Sequence, residues 1–422
     1  MRICLVSQEY PKETAHGGIG TQIWNRAHEL VRRGHQVHVL SCRKDPTKPP
    51  GTEMDDKVVV HRMLPPGEGR TDELTVYDQS VYMLGYTWQV ACELQRLVQR
   101  VDFDLINFPE YGAEGFAYQL NRTPYNWRPV VVHLHGPLAM FAERVRWPDK
   151  NDNFFRVADF MEGESIRSAD ALMASSANIA DYSAARYGVD RDSIHVVHCG
   201  IDCREFKPLE PGAKRHERPT VLFVGNAAAS KGIWCVFDAV MGLRSKYPDI
   251  RLQVLGQGDQ LEALRIRAKE IGARSNLEIV GYVADRAQLP EYYRRAHVLA
   301  APAYHEVGVA NVYVESMACG CPVVACNTGG APEAVEHGES GILVAPKDLE
   351  ATRAALDRIL GDEQLREAMG RAGRKRAEDY FALDKYIERI LAAYEAAQRR
   401  SREKLLSLSG ETLSGQTEPA AR

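Results

Sequence analysis

The sequence predicts two α/β domains, each built on a doubly wound parallel sheet, that face each other across a cleft. Short apolar runs alternate with helical segments along most of the chain, a pattern typical of parallel sheets covered by helices on both faces. A polar stretch rich in proline and glycine, residues 207–219, interrupts that alternation once. The length of 422 residues suits two or three domains at roughly 150 residues each.

The first domain, residues 1–207, opens on a Rossmann-like β-loop-α-β unit. Residues 2–7 are a buried strand, a loop holding Gly17, Gly18 and Gly20 follows, and a helical segment leads into a second strand at 35–41. The glycines do not match the dinucleotide pattern G-x-G-x-x-G, so we infer no NAD site.

The remainder of this domain contains one polar region and several further strands and helices. Residues 43–73 are predicted to be a surface loop around one short strand at 57–63. Long helices are expected over 76–100 and 149–168. The strand PVVVHLHG lies between them and ends at Gly136.

The second domain, residues 208–384, repeats the alternation from the strand PTVLFVGN to a helix over 363–380. A strongly helical segment follows at 385–400. The remaining residues, 401–422, are polar and poor in aromatic side chains, so we expect a disordered tail.

Composition excludes several classes of protein. A net charge of −4 produces no field that would attract nucleic acid, so no nucleic-acid partner is expected. Nine cysteines without a C-x-x-C pair indicate reduced thiols in a cytoplasmic protein, not a disulfide framework or a zinc site. The first residues read as a strand rather than a signal peptide, and no apolar run approaches the ~18 residues that span a bilayer. We expect a cytoplasmic location, with peripheral contact at the inner face of the membrane.

Ligand binding is expected at residues 302–325, where an apolar strand ends, a loop follows and a short helix begins. In open α/β sheets ligands bind outside the carboxyl ends of the strands, and the free N–H groups of a helix start attract phosphate. Glu306 and Glu315 bracket this loop. Glu315 can accept the two hydroxyls of a ribose, and Glu306 can bind sugar hydroxyls or stabilise a positive charge on a reacting sugar. Two such carboxylates also fit the acid and base of a hydrolase, because spacing alone does not define their separation.

Lys231 and His135 are the other candidates for chemistry. Lys231 lies in the loop NAAASKG, between a strand and a helix start, where an ammonium suits a diphosphate. His135 ends a buried strand and is followed by Gly-Pro, which places it at the cleft. His133 lies on the same face of that strand, so one of the two histidines serves the structure.

The order of the motifs resembles that of a known family. The run ESMACGCPVVACNTGGAPEAVEHGESGILV occupies residues 315–344, and GGIGTQIWNRAHELVRRGHQVHVL, VVVHLHG, FVG, SKG, VLGQG and GYV precede it in that order. Up to about residue 400 the chain resembles the retaining glycosyltransferases of family 4, of the bacterial type that builds polysaccharides or glycolipids. The resemblance implies the GT-B fold, with the helix at 385–400 returning to the N-terminal domain.

The resemblance also implies a substrate and roles for individual residues. The expected donor is a nucleotide-diphosphate sugar, a UDP-sugar above all, bound without a metal cofactor. The resemblance places His135 and Glu306 near the reacting sugar. The positions that the resemblance assigns to donor binding are Gly17, Gly18, Asn226, Lys231, Tyr282, Val283, Gly308, Ala310, Asn311, Val312 and Glu315.

Two positions depart from the pattern of the family. Eight residues lie between Glu306 and Glu315, where the family usually has seven between its two glutamates. With the family's spacing measured back from Glu315, the first glutamate position would hold Val307. A one-residue insertion within 307–311 would let Glu306 and Glu315 both match the paired glutamates of the family. The family usually carries an arginine where this chain has Asn226, so one positive charge at the diphosphate is missing or is supplied by another residue.

The predicted function is transfer of a hexose to a hydroxyl of a glycan or a lipid-linked acceptor, with retention of configuration. A non-catalytic subunit that binds nucleotide sugars is an alternative, motivated by the two departures. A nucleotide-sugar isomerase or phosphorylase on the same fold is another. The acceptor is expected to contact the loops of the first domain at 12–20, 65–75, 110–115 and 137–149, where Arg144, Arg146 and Trp147 could meet an anionic lipid.

Overall fold

The N-terminal half folds around an eight-stranded sheet. The computed structural model describes residues 1–11, 13, 18–45, 47–64 and 78–409. The strands lie in the order β3-β4-β2-β1-β5-β6-β7-β8, and all neighbouring pairs are parallel except β3 with β4. Their bounds are β1 Arg2–Val6, β2 Gln36–Cys42, β3 Gly51–Asp55, β4 Val58–Met63, β5 Leu105–Pro109, β6 Val130–Leu134, β7 Ala171–Ala174 and β8 Ile194–Val196.

Helices cover both faces of this sheet. They are α1 Gly18–Arg32, α2 Asp78–Val98, α3 Phe116–Leu120, α4 Leu138–Arg144, α5 Asn153–Ser168 and α6 Ala177–Tyr187. Two core clusters fill the layers between sheet and helices. One centres on Val6, Ile106 and Val132, and the other on Leu5, Leu105 and Val131. Alternate residues of the central strands therefore point to opposite faces, as in a sheet that is buried on both sides.

Two segments of this half differ from the prediction. The region around 57–63 was predicted to hold one strand, but β3 pairs with β4 as an antiparallel hairpin at the sheet edge. The side chains of β3 are mostly exposed or partly exposed, so an edge strand of this kind carries no apolar pattern to detect. Residues 137–149, predicted to be a loop, contain α4.

The C-terminal half is built on a six-stranded parallel sheet with the order β11-β10-β9-β12-β13-β14. Its strands are β9 Thr220–Val224, β10 Arg251–Leu255, β11 Leu277–Gly281, β12 Val298–Ala300, β13 Val323–Cys326 and β14 Gly341–Val344. Its helices are α7 Ile233–Gly242, α8 Leu261–Glu270, α9 Leu289–Arg295, α10 Asn311–Ala318, α11 Ala331–Ala334, α12 Leu349–Gly361 and α13 Glu363–Arg376. The predicted pair of parallel α/β domains is confirmed.

The last helix, α14 Leu383–Ser409, returns to the N-terminal domain as expected. Its apolar face, including Ile387 and Ile390, is fully buried against β7 and α1. The prediction of a disordered tail from residue 401 is wrong for 401–409. Lys404 Nζ lies 2.9 Å from the buried Asp170 carboxylate, and Ser401 Oγ accepts a hydrogen bond from Trp127 Nε1. Polar composition suggested disorder, but these polar groups bind partners on the domain surface. The rest of the predicted tail, 410–422, lies outside the described residues. Within the described chain, no helix is both long and apolar enough to cross a bilayer.

A buried guanidinium joins α1, two strands and the C-terminal helix. Arg26 has no exposed surface. It donates to Asn107 Oδ1 on β5, to His133 Nδ1 on β6 and to Tyr386 Oη on α14. A buried charge is tolerated only when its hydrogen bonds are complete, so these contacts define how α14 sits on the domain.

We expect Arg26→Met to lower the free energy of unfolding by about 2–3 kcal/mol, because it leaves buried acceptors without a donor. Urea denaturation followed by circular dichroism measures this. Arg32→Met, on the same helix, is the control. Its guanidinium is largely exposed and pairs with Glu29, so the loss should stay below about 1 kcal/mol. Equal losses in the two variants would show that Arg26 is not a structural hub.

Candidate functional site

A cavity of about 690 Å³ lies between the two domains, where the strands of both sheets end. The N-terminal domain contributes the loops after β1, β5, β6 and β7, and the C-terminal domain contributes the loops after β9, β11 and β12. The predicted site residues on the cavity wall are Gly18, His135, Asn226, Lys231, Glu306, Gly308, Ala310, Asn311, Val312 and Glu315. The cavity therefore gathers, from both domains, positions that are far apart in the sequence.

The loop before α10 is held from behind by two glycines. A Cβ on Gly329 would lie 1.4 Å from the Glu306 carbonyl oxygen, and a Cβ on Gly330 would lie 2.3 Å from the Gly308 carbonyl carbon. Gly329 also has φ +55, a conformation that favours glycine. Only a glycine pair lets the backbone of 306–308 approach this closely.

Glu315 lies in α10, and two groups orient its carboxylate. Its side chain is almost completely buried. Oε1 lies 3.0 Å from Arg286 Nη2, and Oε2 accepts a 2.6 Å hydrogen bond from Tyr293 Oη. Burial and the neighbouring Glu315 charge raise the pKa of Tyr293 well above its ordinary value, so this phenol remains a donor. The Arg286 guanidinium lies over the Phe206 ring, 5.3 Å from its centroid, and faces the cavity.

Glu306 and Val307, both on the cavity wall, make different contacts. Glu306 Oε2 lies 3.1 Å from Lys231 Nζ inside the cavity. The Val307 side chain packs into the core of the N-terminal domain. The Val307 carbonyl accepts hydrogen bonds from Ser176 Oγ, at 3.2 Å, and from Asn178 Nδ2, at 2.6 Å. The Glu306 carboxylate is therefore in the site, and the next residue, Val307, joins its loop to the N-terminal domain.

The two histidines of β6 and its following loop have different surroundings. His133 is buried and bonded to Arg26, away from the cavity wall. His135 lines the cavity, with Nδ1 3.5 Å from Ser175 Oγ, and its Nε2 has no partner among the described residues. Burial and, to a lesser extent, the Arg26 charge lower the pKa of His135 to about 3. The imidazole facing the cavity is neutral at physiological pH.

The start of α10 supplies backbone donors. The N-cap is Ala310, which has no side chain that could accept from the first N–H groups. Asn311 and Val312 line the cavity at this helix start, where free N–H groups and the positive end of the helix dipole can bind an anion. Gly18 of the N-terminal domain lies close to this helix start: a Cβ on Gly18 would be 3.5 Å from Asn311 Nδ2.

Two predicted donor positions lie off the cavity wall, and a third is outside the described residues. Tyr282 and Val283 follow β11, the edge strand of the sheet, and are not on the cavity wall; Tyr282 is about half exposed, at 52%. Their role with the base stays a prediction. Gly17 lies outside the described residues, as do the predicted acceptor loop 65–75 and most of 12–20.

Other residues on the wall were not singled out individually from the sequence. Arg286 is the most important of them, because it adds a cation to the C-terminal wall, where Asn226 stands in place of the family's usual arginine. Its only signal in the sequence is a position soon after the end of β11. The N-terminal wall adds Glu9, Gln22 and Ser175, and also Tyr111 and Phe141, which belong to the predicted acceptor loops 110–115 and 137–149.

Comparisons with known proteins agree with this geometry. The family model described as Glycosyltransferase Family 4 matches residues 16–205, and the one described as Glycosyl transferases group 1 matches residues 207–376. The chain belongs to glycosyltransferase family 4. It is 28% identical to a D-inositol 3-phosphate glycosyltransferase of Jonesia denitrificans, over 90% of this chain and 91% of that protein. It is 26% identical to a glycogen synthase of Mycobacterium tuberculosis, over 96% of both chains.

Solved structures show the same fold for this glycosyltransferase. Sucrose-phosphate synthase from Thermosynechococcus elongatus superposes with a TM-score of 0.72 at 22% identity, covering 97% of this chain and all of that one. Anabaena Alr3699/HepE in complex with UDP superposes with a TM-score of 0.69 at 19% identity, covering 94% of this chain and all of that one. The enzyme therefore has the two-domain GT-B fold.

We expect Gly330→Ala to lower the free energy of unfolding by about 1–3 kcal/mol, because its Cβ overlaps the loop that carries Glu306. The φ of −82° at Gly330 suits alanine, so the loss reports the overlap alone. Chemical denaturation measures it. In the control Gly85→Ala, the Cβ meets nothing within 4 Å in α2, and helix propensity predicts a gain of up to ~1 kcal/mol. A Gly330→Ala variant as stable as wild type would show that the loop is not held by this contact.

Proposed function

We propose that this glycosyltransferase transfers a hexose from a UDP-sugar to a hydroxyl of a glycan or lipid-linked acceptor, with retention of the anomeric configuration. The observation that carries the proposal is the cavity in which Glu315, Lys231, Arg286 and the start of α10 converge. A buried, oriented carboxylate suits a ribose diol, and two cations beside a helix start suit a diphosphate. The UDP and UDP-glucose complexes of the structural neighbour Alr3699/HepE support the choice of base.

In this proposal the nucleotide lies along the C-terminal wall. Glu315 lines the cavity and accepts from the ribose hydroxyls, while Arg286 and Tyr293 fix the orientation of its carboxylate. The diphosphate meets Lys231 and the N–H groups near Val312. Arg286 replaces the positive charge that Asn226 does not supply, because both residues line the same cavity.

The sugar lies between Glu306 and His135. Lys231 pairs with Glu306 in the free protein, and a bound diphosphate shares that ammonium. The negative charge of Glu306 then stabilises the positive charge that develops on the sugar as the bond to the diphosphate breaks. His135 is neutral, so its imidazole can lie beside the sugar without repelling that charge. The acceptor hydroxyl attacks from the face that the diphosphate leaves and gives its proton to the departing diphosphate oxygen, so the configuration is retained.

No bound metal is part of the proposal. Lys231, Arg286 and the start of α10 offset the charge of the leaving diphosphate, which is the role that a divalent ion has in other transferases. Transfer in the presence of excess EDTA at the rate seen without it would support this assignment.

The acceptor is proposed to bind the N-terminal wall, where Glu9, Gln22 and Tyr111 face the donor side. A peripheral membrane contact remains a proposal. Trp147 is half exposed, and Arg146 beside it is also exposed, at the end of the segment that follows α4. Such a pair suits an anionic lipid surface.

Lys231→Gln and Glu315→Gln are each expected to weaken UDP binding by about tenfold to a hundredfold, because each removes a charge-assisted hydrogen bond worth roughly 1.5–3 kcal/mol. Isothermal calorimetry with UDP measures both. The control is Lys246→Gln, since Lys246 also pairs with a carboxylate, Asp357, but lies at the surface of the same domain. Wild-type affinity in all three variants, or no UDP binding by the wild type, would contradict the proposed donor site. UDP binding without any sugar transfer would instead favour a binding subunit.

A further inference from the structure

Two buried carboxylates lie directly behind the loop that carries His135. Glu110 follows β5 and Glu162 lies in α5, and neither has any exposed surface. They are close enough for the charge of Glu110 to raise the pKa of Glu162. Neither side chain lines the cavity, so neither contacts the proposed substrates.

The two carboxylates bind every backbone N–H group of the turn after β6. Both oxygens of Glu110 accept from His135 N, at 2.7 and 2.6 Å, and Oε1 also accepts from Gly136 N. Pro137 has no N–H group. Glu162 Oε2 accepts from Leu138 N at 2.8 Å, and its Oε1 accepts from Gly112 N at 3.3 Å. The turn from β6 into α4 is therefore built on two side chains and not on backbone pairing.

We propose that Glu110 is a positioning residue for sugar transfer, whose carboxylate fixes the backbone of His135 and so aims the imidazole into the cavity. Three hydrogen bonds to one carboxylate leave the backbone at His135 and Gly136 no alternative arrangement in this buried position. The inference rests on the proposed function, because the reaction that His135 serves is the transfer described above.

This role depends on the charge of Glu110, because a protonated carboxyl group loses acceptor capacity. Burial raises the pKa of Glu110 to about 7, although the backbone N–H groups oppose this, and burial raises the pKa of Glu162 well above its usual range. Other titratable or charged groups facing this cluster are Glu9, Tyr111, Asp159, Tyr187 and, behind His135, Arg26. His135 itself has a pKa of about 3, so its titration cannot account for a change near neutrality.

The rate of sugar transfer and the free energy of unfolding should depend on pH in opposite directions. The carboxylate form of Glu110 holds the turn, so transfer should rise as pH increases through about 7. A carboxyl pKa that is raised in the folded state favours folding at low pH. Stability should therefore fall as pH rises from the ordinary value of 4.5 through about 7, where Glu110 and the equally buried Glu114 ionise.

The test is Glu110→Gln in the full-length enzyme. The amide keeps one acceptor oxygen and does not titrate. We expect kcat to fall about tenfold or more, in line with the cost of misplacing a group at a reacting centre. We also expect the acid limb of the pH profile, which is the fall in kcat as pH drops below about 7, to disappear. The Kd for UDP should stay within about twofold, since no donor contact is touched. Glu110→Asp, which keeps a titrating carboxylate, should recover an acid limb.

Glu114→Gln is the matched control. Glu114 is as deeply placed, and burial raises its pKa to about 7 too, but it accepts from Gln8 N and from Tyr86 Oη. This variant should change the pH dependence of stability as Glu110→Gln does, yet keep the wild-type acid limb. An unchanged acid limb in Glu110→Gln, or the same loss of the limb in Glu114→Gln, would overturn the positioning role.

A second measurement does not require turnover. The ring signals of His135 in NMR spectra, assigned by comparison with His135→Gln, should shift with a midpoint near pH 7 in the wild type and in Glu114→Gln, but not in Glu110→Gln. Signals that do not respond to pH in the wild type would overturn the proposal even if the acceptor were never found. Failure of the donor site would appear separately, as absent UDP binding with the NMR response intact.

Discussion

The loop over residues 306–308 is held on both of its sides, and the functional site depends on that contact. Gly329 and Gly330 lie against its backbone within the C-terminal domain, at distances that exclude any side chain. On the other side, Ser176 and Asn178 of the N-terminal domain bind the Val307 carbonyl. The position of Glu306 is therefore defined by packing between domains, although Glu306 itself lies in a loop.

A second contact between the domains strengthens the first. Glu333, in the short helix that follows the glycine pair, accepts from Ala177 N and Asn178 N at the start of α6. It also lies 2.7 Å from His198 Nε2. A carboxylate at a helix N-terminus is stabilised both by hydrogen bonds and by the helix dipole. The glycines and Glu333 belong to one run, GGAPE, so a single short motif holds the donor loop and also binds the opposite domain.

The sequence was sufficient to predict features that depend on local patterns, and not those that depend on long-range contacts. Apolar runs identified the central strands, and a helix start after a strand identified Glu315 and Lys231. Arg286 could not be recognised, because its importance comes from Glu315 and Phe206, which are distant in the chain. The spacing of Glu306 was ambiguous until the contact of Glu306 with Lys231 and the packing of Val307 in the N-terminal core were known. The order of residues 401–409 was missed because polar composition does not show which side chains have partners.

In the proposed complex, the neutral His135 lies beside the sugar, and charged side chains line the rest of the cavity. Among the described residues of the wall, Lys231 pairs with Glu306 at 3.1 Å, and Arg286 pairs with Glu315 at 3.0 Å. An incoming diphosphate therefore enters a site without a large excess of either charge. Behind the neutral His135 lies Glu110, whose burial opposes ionisation. Replacing Glu110 by an apolar residue would remove that desolvation cost but leave two backbone N–H groups buried without acceptors. A carboxylate that costs stability at neutral pH is thus the group that allows the turn beneath His135 to exist.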